Sequence, residues 1–124
     1  MGAGAPSPAD LRAAEAASRS FARALLARDP AGAAGHLSPG ACILTADGTE
    51  VLGRAAVREV LAQITSSGQE LEILLGRTVV CGDLALAVQY WRRRSSGFDE
   101  STAARLVLAR EGGRWAIAIA SPWG

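Results

Sequence analysis

Small and apolar residues return every three or four positions from Leu11 through Ala14, Ser18 and Phe21 to Leu25, with Arg12, Glu15, Arg19 and Arg23 between them. That spacing predicts an amphipathic helix over 8–28 with one stripe turned to a core. Ser7 and Asp10 make a Ser-x-x-Asp start signal, and Pro8 suits the first helical position. "RDP" ends the helix, because the residue before a proline disfavours helical angles, and "AGAAGHL" leaves room only for a short second helix. The period changes in "ACILTADGTEVLG", which reads as a β-hairpin turning at Asp47-Gly48. A third helix follows in "GRAAVREVLAQITSS", with Val57, Val60, Leu61 and Ile64 on one face. Then come four long strands, "ELEILLGRTVVCGD", "LALAVQYWRRR", "STAARLVLARE" and "RWAIAIAS", joined at Gly82-Asp83, Ser95-Ser96-Gly97 and Gly112-Gly113. Helices followed by an antiparallel meander make an α+β plan, with the helices gathered on one face of a sheet.

Two of these strands lack a polar face. Leu84, Leu86, Val88 and Tyr90 alternate with Ala85, Ala87, Gln89 and Trp91, while Trp115, Ile117 and Ile119 alternate with Ala116, Ala118 and Ala120. A sheet with one face in water alternates apolar with polar residues. The helices cover one face, so a second copy of the chain is expected on the other, as a two-fold homodimer through the sheet. Trp123, next to the end of the sequence, is expected to plug the cavity or dimer edge.

The 124 residues suffice for one domain with its own core. Residues 1–7 are expected to form a flexible leader and 8–124 a single domain. The thirteen basic residues, all arginine, nearly balance twelve acidic ones, which leaves no nucleic-acid footprint. With abundant alanine, this usage points to a GC-rich bacterial genome. One histidine and two separated cysteines give no zinc pattern, so neither a metal nor another cofactor is expected. No apolar run is long enough for a membrane helix, and the first residues lack a secretory pattern, so the expected setting is the cytoplasm.

Several quoted stretches together resemble the nuclear transport factor 2-like superfamily, in particular its SnoaL-like and ketosteroid isomerase-like small proteins. They are a first helix closing on "ARD", a "DG…LGR" hairpin leading into a helix, "GDLAL" opening a strand and "GGRW" opening the last one. The resemblance implies a cone-shaped, cystatin-like fold, a curved antiparallel sheet wrapped around N-terminal helices and a deep apolar cavity. It also implies dimers formed through the outer sheet face. Implied activities are cofactor-independent isomerase, cyclase or dehydratase chemistry by proton transfer; a non-catalytic dimeric ligand-binding or assembly module is the alternative, and the sequence leaves the enzyme question open. Ketosteroid isomerases use a carboxylate base, a tyrosine and a protonated aspartate. The matching positions fall at Thr45, Phe21 and Arg105, none of which has the required group, and only a shifted alignment brings Asp47 or Asp99 into a carboxylate role.

The catalytic candidates are Asp47, Arg105 and His36. Asp47 borders the expected cavity mouth, but Asp-Gly is also a turn signature. His36 has a suitable pKa and no nameable partner. Arg105 interrupts an apolar strand, where it would either hold an acidic ligand with its planar fork or pair outward with Glu70, Glu72 or a dimer mate. The implied ligand pocket comprises Phe21, Thr45, Leu61, Tyr90, Trp91, Arg105, Ile119 and Trp123, and suits a small apolar or acidic-apolar ligand. Arg92, Arg93 and Arg94, with Asp99 and Glu100, read as a solvated hairpin end with cross-strand pairing.

Overall fold

The computed structural model describes residues 7–66 and 68–124; the rest of the expected leader, and Ser67 in the link after the third helix, lie outside the described residues. Helix α1 spans Pro8–Leu26 and starts as its sequence dictates: the Ser7 hydroxyl oxygen accepts the Asp10 N–H at 3.0 Å, and Pro8 occupies the first turn. It stops two residues earlier than predicted. Arg28 adopts a left-handed φ of 56°, the conformation that ends helices, here without the usual glycine. Its guanidinium donates to the carbonyls of Thr65, Ser66 and Gln69 at 3.1, 2.7 and 2.6 Å, tying the end of α1 to the segment after the third helix. Asp29 then caps the short α2 (Pro30–Ala34) by accepting the Gly32 N–H at 2.9 Å.

Strands β1 (Leu37–Leu44) and β2 (Glu50–Leu52) form the expected hairpin, and α3 (Arg54–Ile64) follows. The meander consists of β3 (Glu70–Cys81), β4 (Leu84–Ser95), β5 (Phe98–Glu111) and β6 (Arg114–Ser121). All six strands join one curved sheet in the order β2-β1-β6-β5-β4-β3, because β1 lies parallel to β6, pairing Ile43 with Ala120. The alternation pattern could not reveal this one parallel contact.

Beneath the sheet, Ala14, Ser18, Phe21 and Leu25 of α1 and Val57, Leu61 and Ile64 of α3 are buried, as their stripes predict. They meet Ala85, Ala87, Gln89 and Trp91 of β4 and Ala104, Leu106 and Leu108 of β5. Burying each large apolar side chain contributes roughly 1.5–3 kcal/mol. Leu84, Leu86 and Tyr90 point away from the helices and are exposed.

The reading of β6 needs correction. Trp115 and Ile117 are buried, but Ile119 is exposed, so the three do not share a face. Leu108 pairs with Ile117 and the adjacent Val107 with Ile119, an irregularity in which Ala118 is the extra residue. Such a bulge shifts the alternation by one and turns the end of the strand over. At the other end of the same strand pair, Arg110 donates to Asp10 at 2.6 Å and to Asp83 at 2.7 Å while its guanidinium lies 5.4 Å from the centre of the Trp115 ring. That contact joins the start of α1, the β3–β4 turn and β6.

Candidate functional site

Alternation along β4 carries Gln89, Trp91 and Arg93 to the inner face, where α1 and the chain's last residues meet them. The Gln89 amide nitrogen donates to the Ser18 hydroxyl and carbonyl oxygens at 2.8 and 3.0 Å, and the Trp91 indole N–H donates to the Gln89 amide oxygen at 2.9 Å. Gln89 and Trp91 are at most 1 % exposed. The indole, a donor only, fixes which way the amide faces. This column is polar without being reactive: its groups are hydrogen-bonded to one another, and neither Gln89 nor Trp91 can serve as a base near neutral pH.

Arg93 continues the column and is largely buried, paired with Glu100 and lying 5.1 Å from the centre of the Trp123 ring. Thr102 donates its hydroxyl to the Pro122 carbonyl at 2.7 Å, so two residues on neighbouring strands fasten the terminal segment. Arg92 and Arg94 alternate to the outer face, where Arg92 meets Asp99 at 2.8 Å and Arg94 meets Glu70 and Glu72 at 3.1 and 2.7 Å. The expected cross-strand pairing is therefore present, but the middle arginine belongs to the interior. Its two-residue spacing from Trp91 was the signal for this.

The candidates taken from the sequence are scattered. Phe21, Leu61 and Trp91 lie in the core, and Tyr90, Arg105 and Ile119 lie on the outer face. Thr45 and Trp123 meet at a pocket of about 210 Å³ between the β1–β2 turn and the end of the chain. Arg105 stands between Val88 and Ser121 and, among the described residues, reaches only the Gly124 carbonyl, at 3.5 Å. Glu70 and Glu72 are engaged by Arg94 instead.

Asp47 behaves as a turn residue. Its carboxylate accepts the Thr45 hydroxyl and the Thr49 N–H, and hydrogen bonds from these two residues hold its pKa at about 2. A carboxylate so stabilised is a weak base. His36 is half-buried, and burial together with the nearby Arg114 charge lowers its pKa, leaving a neutral imidazole at pH 7. Among the described residues, no carboxylate accepts a hydrogen bond from that ring to orient it. The three positions matched to ketosteroid isomerase chemistry, Phe21, Thr45 and Arg105, thus lie in the core, at a turn and on the outer face. No common substrate atom is within reach of all three.

No protein-family model matches the chain, and no curated protein matches it. Solved structures do. A cystatin-like-fold domain from Nostoc punctiforme superposes with a TM-score of 0.77 at 22% identity, over 96% of this chain and 80% of that one. A ketosteroid isomerase-like protein from Erwinia carotovora gives 0.76 at 14% identity, over 93% and 95%. A candidate dehydratase from the nuclear transport factor 2-like family of Streptomyces avermitilis gives 0.73 at 19% identity, over 92% and 96%. With the curved six-stranded sheet and its N-terminal helices, these likenesses establish that the chain has the nuclear transport factor 2-like, cystatin-like fold.

Proposed function

We propose that the chain works as a non-catalytic, homodimeric ligand-binding module of this fold, assembled through the outer face of its sheet. The observation that carries the reading is the run of large apolar side chains on that face: Leu74, Val79, Leu84, Leu86, Tyr90 and Ile119 are all exposed, the least of them 38 %. Val88 and Val107 lie among them, half-buried. A contiguous apolar patch of this kind marks an interaction surface. An isologous pairing buries the same residues on both copies, and a stable interface needs about 800 Å² from each. The ion pairs of Arg92 with Asp99 and Arg94 with Glu70 and Glu72 border the patch, as polar rims do.

The alternative, proton-transfer catalysis in an apolar cavity, draws less support. The space between helices and sheet holds Phe21, Leu25, Leu61, Trp91, Leu106 and Ile117, each at most 1 % exposed. A bacterial cytoplasm remains the proposed setting; the free thiols of Cys42 and Cys81 suit it, and among the described residues no helix is long and apolar enough to cross a membrane.

Light scattering tests the assembly. The protein is expected to give twice its chain mass at micromolar concentration, and Leu86→Glu, which places a charge at the centre of the patch, to give the chain mass with unchanged circular dichroism. A monomeric wild-type protein would sink the proposal.

A further inference from the structure

At the end of the sheet that carries the β3–β4 and β5–β6 turns, away from Trp123, a pocket of about 140 Å³ opens between the start of β1, the start of α3 and the β5–β6 hairpin. Gly35, Leu37, Ser38, Arg54, Glu111 and Arg114 line it. Ser38 is 6% exposed, and its hydroxyl donates to a Glu111 carboxylate oxygen at 3.0 Å. Arg54 donates from one terminal nitrogen to the Leu37 carbonyl at 2.8 Å, which anchors the guanidinium to β1 and leaves its other donors uncommitted. Arg114 sits directly across the β5–β6 ladder from Glu111, yet Glu111 accepts from Ser38, and Arg114 has no ion pair among the described residues.

Gly35 and Arg54 also line a second, more open groove of about 480 Å³, whose other walls are Ala31, Ala34, Ala55 and Arg58. Arg58, one helical turn from Arg54, likewise has no ion pair among the described residues. Two guanidiniums, those of Arg54 and Arg114, therefore share the smaller pocket with one carboxylate that is already engaged, and Arg58 lines the groove beside it. Arg92, Arg93, Arg94 and Arg110 each meet a carboxylate; among the described residues Arg12, Arg19, Arg23, Arg28, Arg77 and Arg105 form no ion pair either, but none of them lines these two pockets. Uncompensated like charges brought together on alanine-rich walls repel one another, and an oxyanion relieves that repulsion.

We propose that these adjoining pockets bind a phosphomonoester, with the phosphate held by Arg54 and Arg114 and the uncharged body of the ester lying on Ala31, Ala34 and Ala55 beside Arg58. The smaller pocket has the size of an anionic head group, and the larger has room for an organic body. A dianion matches the surplus left by three arginines against Glu111, and planar guanidiniums grip phosphate oxygens in pairs. The site is separate from the outer apolar patch and from the Gln89 column, so it stands whether or not the chain dimerises.

Isothermal titration of the full chain with phenyl phosphate tests this, with phenol, benzoate and inorganic phosphate as comparisons. Saturable binding of phenyl phosphate is expected, with weaker binding of inorganic phosphate and benzoate and none of phenol. Arg114→Gln breaks no side-chain hydrogen bond or ion pair among the described residues, so it is expected to fold normally while raising Kd about tenfold or more, as loss of a charge-assisted contact does. Arg58→Gln should weaken binding in the same direction, and Arg23→Gln on the exposed side of α1 should leave it unchanged. Absence of phenyl phosphate binding at millimolar concentration would overturn the proposal, as would equal loss in Arg23→Gln and Arg114→Gln, which would mark a diffuse charge effect. Benzoate binding as tightly as phenyl phosphate would overturn the choice of phosphate.

Discussion

The two faces of β4 invert what side-chain size alone would assign. Facing the helices are Ala85, Ala87, Gln89 and Trp91; facing away are Leu84, Leu86, Val88 and Tyr90. The difference follows from distance. Alanines at 85, 87 and 104 leave room beneath the sheet, and Phe21 and Leu25 of α1 belong to the same core and supply bulk that these strand positions omit. The outer face has no helix to accommodate and keeps its large residues, which close packing against a second surface would use. Burial within the chain thus reports which layer arrived, while residue size reports how much room that layer leaves.

The largest effect separating the faces is expected from Trp91→Ala. It empties a fully buried site and removes the donor that orients Gln89, at a cost of about 3–5 kcal/mol in urea unfolding. A small change there would mean that the inner face is poorly packed. Gln89→Leu is similar in volume but leaves the Trp91 indole N–H and the Ser18 carbonyl without this partner, which should cost about 1–3 kcal/mol by the same measurement. Stability equal to wild type would show that the column is dispensable. On the opposite face, Leu86→Glu should alter the unfolding free energy of the isolated chain by only about 0.5 kcal/mol, measured at concentrations where it is monomeric. A loss as large as that of Trp91→Ala would erase the distinction between the faces.

The smallest effect belongs to Asp47, which neither face uses. Its folded pKa of about 2 lies below the ordinary 3.8 of the unfolded chain. Its hydrogen bonds therefore stabilise the fold fully above about pH 4, and the contribution fades as the pH falls through 2. Asp47→Asn should lower stability slightly at neutral pH, where the carboxylate is charged, and converge on the wild type as the pH falls through 2, which flattens the acid limb of a stability–pH curve. A loss that persisted undiminished below pH 2 would give Asp47 a role beyond the charge that its turn stabilises.

Much of the fold was legible because local chemistry and tertiary structure agree. The stripe from Ala14 to Leu25, the Ser7 cap and the Asp47-Gly48 turn each have a short-range cause, and each is present. Where apolar residues occupy both faces, a period of two cannot say which is inner; α1 decides that. Nor can alternation show the bulge at Ala118, since Trp-Ala-Ile-Ala-Ile-Ala reads as an unbroken strand. Arg93 escaped notice because its neighbours make the run look like a solvated end, although Gln89 and Trp91 share its parity. The meeting of Arg54 and Arg114 was invisible for another reason: α3 and the β5–β6 hairpin are far apart in sequence, and only the route of β1 between them brings these two to one pocket, with Arg58 in the groove beside it.

The parallel contact between β1 and β6 also sets an order of events in time. β1 is the first strand made and β6 the last, and each needs the other to complete the sheet. On a ribosome, α1, α2 and the β1–β2 hairpin must wait with an unsatisfied strand edge until Ile119 and Ala120 have emerged. A contact between such distant segments carries a loop-closure cost and slows folding. The sheet therefore closes only after β6 has been made, and during that wait the β1 edge is the part of the nascent chain most open to mispairing.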